Sequence, residues 1–443
     1  MDFAEQTHRR LLIAVGLVVA VTGAGLVWLW PAAGELPDAP EGGSELIDGT
    51  IRSVTFEQQE PDPVIGESGR VAIIDVQLTS GEERGEIVTI EAPVEGYPPI
   101  DVGDEVQLSS TELPDTGTEY FIVDFQRLDA LLWLAALFVA AVLLVSRWHG
   151  LRSLIGLGLS LLIITKFEVP SILAGNSPFL VALFGALAVM VVTLYLSHGV
   201  NEMTTAAVVG TAAALGLTVL LGVVFIEQGE LTGFSSEEAN LARFAVEGLD
   251  LRGLVLAGLI IAALGVLDDV TVSQSSTVFA LHDADPTQSW RQLFGRAMIV
   301  GRDHIASTVN TLFLAYAGAS IALLVLFATG GLGIGEIVNS EIFAEEAVKT
   351  LVGSLGLIAA VPFTTALAAT VAVRRPPDAP PVRGLHAHGA DEGTVPDGGP
   401  EDEEEPDDDQ SYAAWLRYLR TGMREEADHL DPQERRSQEE EGR

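Results

Sequence analysis

Two adjacent carboxylates, Asp268 and Asp269, stand in the stretch "LIIAALGVLDDVTVSQSS" (259–276), directly after an apolar run of helix length. Thr271, Ser273, Gln274, Ser275 and Ser276 follow them. Carboxylates at or near membrane depth are costly, so they usually face a cavity, a pathway or a partner charge. A second polar cluster, "GRDHIASTVNT" from Gly301, carries Arg302, Asp303, His304, Ser307 and Asn310. A third, "SHGVNEMTT" from Ser197, carries His198, Asn201, Glu202, Thr204 and Thr205.

Helical spacing organises two of these clusters. Asp303, Ser307 and Asn310 fall at i, i+4, i+7. Asp268, Thr271 and Ser275 fall at i, i+3, i+7 if the helix persists past the aspartates. The two stripes would line a polar cleft between the sixth and seventh spans, where Arg302 could neutralise one carboxylate. Such an oxygen-rich site without thiolates suits H⁺, Na⁺ or a hard divalent ion better than a soft metal. His198 and Glu202 have the i, i+4 spacing of a metal-ligand pair, but two ligands alone are weak evidence for a site. The competing reading is interfacial. Asp303 would cap the start of span seven, favourable at a helix amino terminus, and Asp268 and Asp269 would be solvated at a helix end.

Enzyme classes find little support. An intramembrane aspartyl protease needs one Asp on each of two facing helices, which a vicinal pair on one helix does not supply. There is no Walker A loop, dinucleotide glycine fingerprint, nucleophile elbow or zincin motif, and the Ser, His and Asp spacings signal no triad. No cofactor is implied.

The elements that must position these residues are membrane helices. Of 443 residues, 48% are hydrophobic, and they concentrate in long uncharged runs. About 20 apolar residues cross the hydrocarbon core. Spans are expected at about 11–30, 128–146, 151–173, 178–196, 204–226, 252–270, 303–327 and 350–373, which makes eight. Lys166, Glu168 and Pro170 interrupt the far half of the third. The first is flanked by Arg9 and Arg10. Small residues Ala32, Ala33 and Gly34 would allow signal cleavage after it, while its length and the pair Trp28 and Trp30 favour a retained anchor.

Residues 31–127 carry 22 acids against four arginines and residues 376–443 carry 20 against seven, so most of the net charge of −38 lies outside the apolar runs. That acidity argues against nucleic acid or anionic lipid as partners of these segments. Without cysteine the chain has neither disulfide nor thiolate site. Between Glu45 and Gln126, five short alternating runs separated by Gly, Pro and Asp clusters predict a small all-β module, OB-like in strand number. Residues 376–443 are Pro-rich, then acidic, and read as disordered.

Arginines cluster on one side of the predicted spans (Arg9, Arg10; Arg147, Arg152; Arg291, Arg296, Arg302; Arg374, Arg375). The positive-inside rule then puts both termini in the cytosol, the β module outside and the protein in the plasma membrane. The expected division is an anchor span at 1–34, an extracytoplasmic β domain at 35–127, a seven-span domain at 128–375 and a cytosolic acidic tail at 376–443.

"GVLDDVTVSQSS", followed about 30 residues later by "GRDHIASTVNTLFLAYAGAS", resembles the YibE/F family of bacterial and archaeal multi-spanning membrane proteins. "ILAGNSPFLVAL" and the Gly-rich fourth and fifth spans carry the likeness over roughly 125–373. The resemblance implies a permease-like integral membrane protein with no substrate attached. It marks Asp268, Asp269, Thr271, Gln274, Arg302, Asp303, His304 and Ser307 as motif positions.

The expectation is therefore an ion- or proton-coupled transporter, with the bilayer and a small ion or solute as partners. Asp268 or Asp269 would bind the ion, Arg302 would balance charge, and Ser307 and Asn310 would contact ion or solute. The alternative is a non-transporting scaffold or sensor, in which the β module or the acidic tail binds a protein partner.

Overall fold

The computed structural model describes residues 3–31, 46–58, 70–93, 99–113, 117–235, 237–246 and 248–375. The acidic tail expected at 376–443 lies outside the described residues.

Helix α1, Phe3–Trp28, leads to five strands: β1 Leu46–Gln58, β2 Arg70–Leu78, β3 Ile87–Pro93, β4 Glu105–Leu113 and β5 Gly117–Phe125. They form one antiparallel sheet in the order β3-β2-β1-β4-β5. The long β1 makes this possible, because its first half pairs with β4 and nearly its whole length with β2. The edge strands β3 and β5 also approach each other, which curves the sheet. Side-chain alternation selects the inner face. Ala72, Ile74, Val76 and Leu78 of β2 are buried and join Ile51, Val106 and Leu108 in one core.

Helix α2, Leu128–Ile163, is continued by a π-helical turn at Ile164–Glu168 and by α3, Val169–Leu173. It is broken at Arg147, which sits at φ 47, ψ −125. Such a backbone costs a non-glycine residue on the order of 1–3 kcal/mol. Residues eight apart on a straight helix are separated by about 12 Å along its axis. A Cβ placed on Gly150 would instead lie 2.7 Å from the Val142 carbonyl oxygen. The chain therefore folds back at Arg147, and glycine at 150 makes the close approach possible.

Helices α4 (Pro178–His198), α5 (Glu202–Gln228), α6 (Glu237–Ala245), α7 (Leu251–Ala284), α8 (Trp290–Ala319), α9 (Ile321–Thr329), α10 (Ile334–Asn339) and α11 (Glu341–Ala372) complete the order. Local signals set several starts. Asn201 accepts from the Thr204 amide and Asp250 from the Gly253 amide, while Ser289 and Gln292 form a capping box. By length and apolarity, six helices among the described residues can cross a membrane, or seven if α8 and α9, bent by 59°, count as one span.

Two helices differ from the expected spans. The sixth was expected to end near residue 270, yet α7 runs unbroken to Ala284. The seventh was expected to open at Asp303, yet α8 starts at Trp290. Hydropathy marks only the apolar part of a helix, whereas polar residues extend it wherever neighbouring helices satisfy them.

Helices α5, α7 and α11 pack on one another, with α4 on α7 and α8 on α11 and α7. Lipid tails are as apolar as leucine, so close packing and interhelical hydrogen bonds hold such helices together. Small residues provide the approach. A Cβ on Gly210 of α5 would collide with the Thr364 hydroxyl of α11, and one on Gly356 of α11 with the Thr218 hydroxyl of α5.

Candidate functional site

The fifth turn of α7 carries the acidic pair near its middle, Asp268 lying seventeen residues after Leu251 and so about 26 Å along the axis. One face of α7 turns toward α5, α8 and α11, and there Thr271, Gln274 and Ser275 each have a partner. Thr271, fully buried, shares a 2.6 Å hydrogen bond with Thr211 of α5. Gln274 donates to the Ala297 carbonyl of α8 at 3.0 Å and to the Thr365 hydroxyl of α11 at 2.7 Å. Ser275 donates to the Met203 carbonyl of α5 at 2.8 Å.

The other face opens on a cavity of about 650 Å³ between α2 with its π-helical turn, α4 and α7. Three regular stripes line it. Ser153, Leu157, Ser160, Ile164 and Glu168 come from the first wall, at intervals of three or four residues. Ala186, Val189, Thr193 and Ser197 come from α4, and Ile261, Leu264, Asp268, Val272 and Ser276 from α7. Each interval of three or four keeps its residues on one helix face. Asp268 places a buried carboxylate oxygen, Oδ1, against this cavity with no hydrogen-bond partner among the described residues. The Thr193 hydroxyl lies against the same carboxylate and also donates to the Val189 carbonyl at 2.8 Å. Asp269 lines the cavity too, but is exposed.

The expected residues therefore separate. Asp268 and Asp269 face the cavity, whereas Thr271, Gln274 and Ser275 face the helix core. The expected i, i+3, i+7 stripe of Asp268, Thr271 and Ser275 is replaced by Asp268, Val272 and Ser276. Arg302, Asp303, Ser307 and Asn310 are exposed on α8 and His304 is half-buried, and none of the five lines the cavity. Asp303 lies thirteen residues inside α8, so it caps nothing. The acidic cavity lies on the α2–α4 side of α7 and not between α7 and α8, because Thr271, Gln274 and Ser275 are consumed in joining α7 to its neighbours.

His198 lines the cavity, but Glu202 does not join it. Glu202 pairs with Arg375 at 3.0 Å, and the same guanidinium reaches Asp283 at 3.2 Å. Among the described residues no group of three or more His, Asp or Glu side chains could hold a metal ion.

Glu168 is the cavity carboxylate that sequence reasoning passed over. Its charge was legible only as an interruption of the third span. The signal was the heptad stripe Ser153, Ser160 and, after the π-turn adds a residue, Glu168.

These features define a class, a multi-pass helical membrane protein with an acid-lined cavity among its spans. Comparison with family models matches the YibE/F-like protein model over residues 134–374, more than half of the chain, and the chain belongs to that family. Comparison with curated proteins and with solved structures gave no match.

Proposed function

We propose that this chain is an ion- or proton-coupled transporter of the plasma membrane, whose binding site is the cavity between α2, α4 and α7. The observation that carries the reading is Asp268. Its buried carboxylate oxygen, without a partner among the described residues, faces a cavity with room for an ion and its water or a small solute. Uncompensated carboxylates at membrane depth are expensive and persist where function uses them. In this reading Asp268 binds the coupling ion, Thr193 orients its carboxylate, and Asp269 at the mouth attracts cations. The α8 residues Arg302, Asp303, Ser307 and Asn310 take no part.

The proposed topology has eight spans. The fold-back at Arg147 divides the 128–173 segment into two, α8 with α9 makes one, and α1, α4, α5, α7 and α11 make five. Arginine asymmetry favours cytosolic termini and an extracytoplasmic, OB-like sheet.

Thermal melting of the full chain in detergent, with added ions, varied pH and small metabolites, tests the site. A ligand that binds the folded state raises the melting temperature by mass action. An ion or solute that stabilises wild type but not Asp268→Asn/Asp269→Asn supports the reading. Equal responses in both forms, or none in either, would remove the carboxylate site.

A second reading draws on the sheet. Phe121 and Val123 of β5 and Phe56 of β1 are exposed, and apolar side chains on an exposed sheet suit a protein partner. In a scaffold or sensor, essential residues would map to the sheet or the acidic tail instead of Asp268.

A further inference from the structure

Glu168 has surroundings that a structural carboxylate would not tolerate. It is only 3% exposed, and its Oε1 has no hydrogen-bond partner among the described residues. It closes a π-helical turn, a geometry that recurs at functional sites. The side chain crosses to α4, where Gly185 leaves room for it; a Cβ there would collide with the carboxylate. It lines the same cavity as Asp268, at a different depth. Glu168 packs at the level of Gly185, and Thr193, which touches Asp268, lies eight residues further along α4, about 12 Å away. Between them the walls are mostly apolar, with Ile164, Val189 and Leu264.

This neighbourhood discriminates among ligands. A hard cation such as Na⁺ or Ca²⁺ needs several oxygen donors at once. Around Glu168 the nearest cavity hydroxyls, Ser160 and Thr193, are each about 12 Å off along their helices. A proton needs one oxygen only. The ionisable groups that share the cavity are Asp268 and Asp269 from α7 and His198 from α4. From the residues that follow α1, Trp30 stacks on the adjacent Phe167 and Leu29 accepts from Ser171, so among the described residues that side brings no charge.

We propose that Glu168 is a proton-binding site at the inner end of the cavity, reached from the mouth by way of Asp268. The step is a simple protonation. A proton taken from water at the mouth forms an O–H bond on the carboxylate, whose charge goes from −1 to zero, and it leaves by the reverse step. The direction of proton flow rests on the transporter reading, whereas the binding site itself does not.

The test uses full-length protein reconstituted in lipid vesicles. Infrared difference spectra between acidic and alkaline pH report protonated carboxyl groups, and a pH-sensitive dye inside the vesicles reports proton entry. Wild type should show a carboxyl C=O band that shifts in D₂O and vanishes in Glu168→Gln. The band should change position in Gly185→Ala, which keeps the acid but displaces it, and remain in Asp268→Asn. If Glu168→Gln melts like wild type and removes no carboxyl band, the site is overturned. If the band is lost as expected but wild-type vesicles never acidify under a proton gradient, the site stands and the transporter reading falls. Equal acidification in wild type and Glu168→Gln would overturn the path through Glu168.

Discussion

The two faces of α7 carry similar polar residues and treat them in opposite ways. Toward α5, α8 and α11, Thr271, Gln274 and Ser275 each find a partner at 3.0 Å or less. Toward α2 and α4, Asp268 keeps a buried oxygen without one among the described residues, and so does Glu168 on the π-helical turn. A satisfied polar group between membrane helices holds them together, with average contributions of about 0.6 kcal/mol per interhelical hydrogen bond and up to about 2. An unsatisfied one is a cost to the fold. The difference teaches that membrane polarity alone does not mark a site; a buried carboxylate oxygen without a partner against a cavity is the sharper sign.

The largest expected effect lies on the satisfied side. Gly210→Val would drive a branched side chain into Thr364, an overpacking cost of about 3 kcal/mol, seen as loss of folded protein on size exclusion. Gly210→Ala should be milder and be partly rescued by Thr364→Ala, which removes the clashing hydroxyl. Absence of rescue would break the assignment of this contact as the seam between α5 and α11. Next, Gln274→Ala removes two interhelical hydrogen bonds and leaves a void, at about 2 kcal/mol, measured as a lower melting temperature in detergent.

On the other face the sign should reverse. Asp268→Asn removes a potential charge that has no countercharge, so the melting temperature should stay level or rise, by up to about 1 kcal/mol. A clear fall would place Asp268 among the structural groups and erase the contrast.

The smallest effect sharpens the comparison with a carboxylate that is satisfied and outside the membrane helices. Asp75 of β2 accepts from Ser53 at 2.6 Å and from Thr89 at 2.8 Å. Those bonds, Ser53 first, hold its carboxyl below the ordinary value. A lowered folded value means that its contribution is present above the unfolded value and is lost as pH falls through the folded one. Asp75→Asn should flatten the acid response of the sheet, read as amide protection in β2 below about pH 4. At this half-buried position the change should be slight. An unchanged acid midpoint would show that the two hydroxyls do not hold the carboxylate in solution.

Much of the architecture was legible because its signals are local. Alternation in "RVAIIDVQL" gave β2 and its inner face, and apolar runs gave α4, α5 and the body of α7. The apolar run was expected to break at Arg147, Trp148 and His149, and the helix is broken at Arg147. Span bounds read from hydropathy did not mark helix ends where polar residues continue a helix, as in α7 past Asp269 and α8 before Asp303.

The sequence by itself determined that Asp268 lies in a membrane-length helix, since composition and periodicity act within one segment. It also determined family membership, carried by the two motifs. Only the tertiary structure decided which face of α7 is cemented and which is open. That depends on what α2, α4, α5 and α11 present across the interface, and those residues lie tens to hundreds of positions away. For the same reason Glu168, read alone as a flaw in an apolar run, shares a cavity with Asp268 only once α4 sets Gly185 against the one and Thr193 against the other.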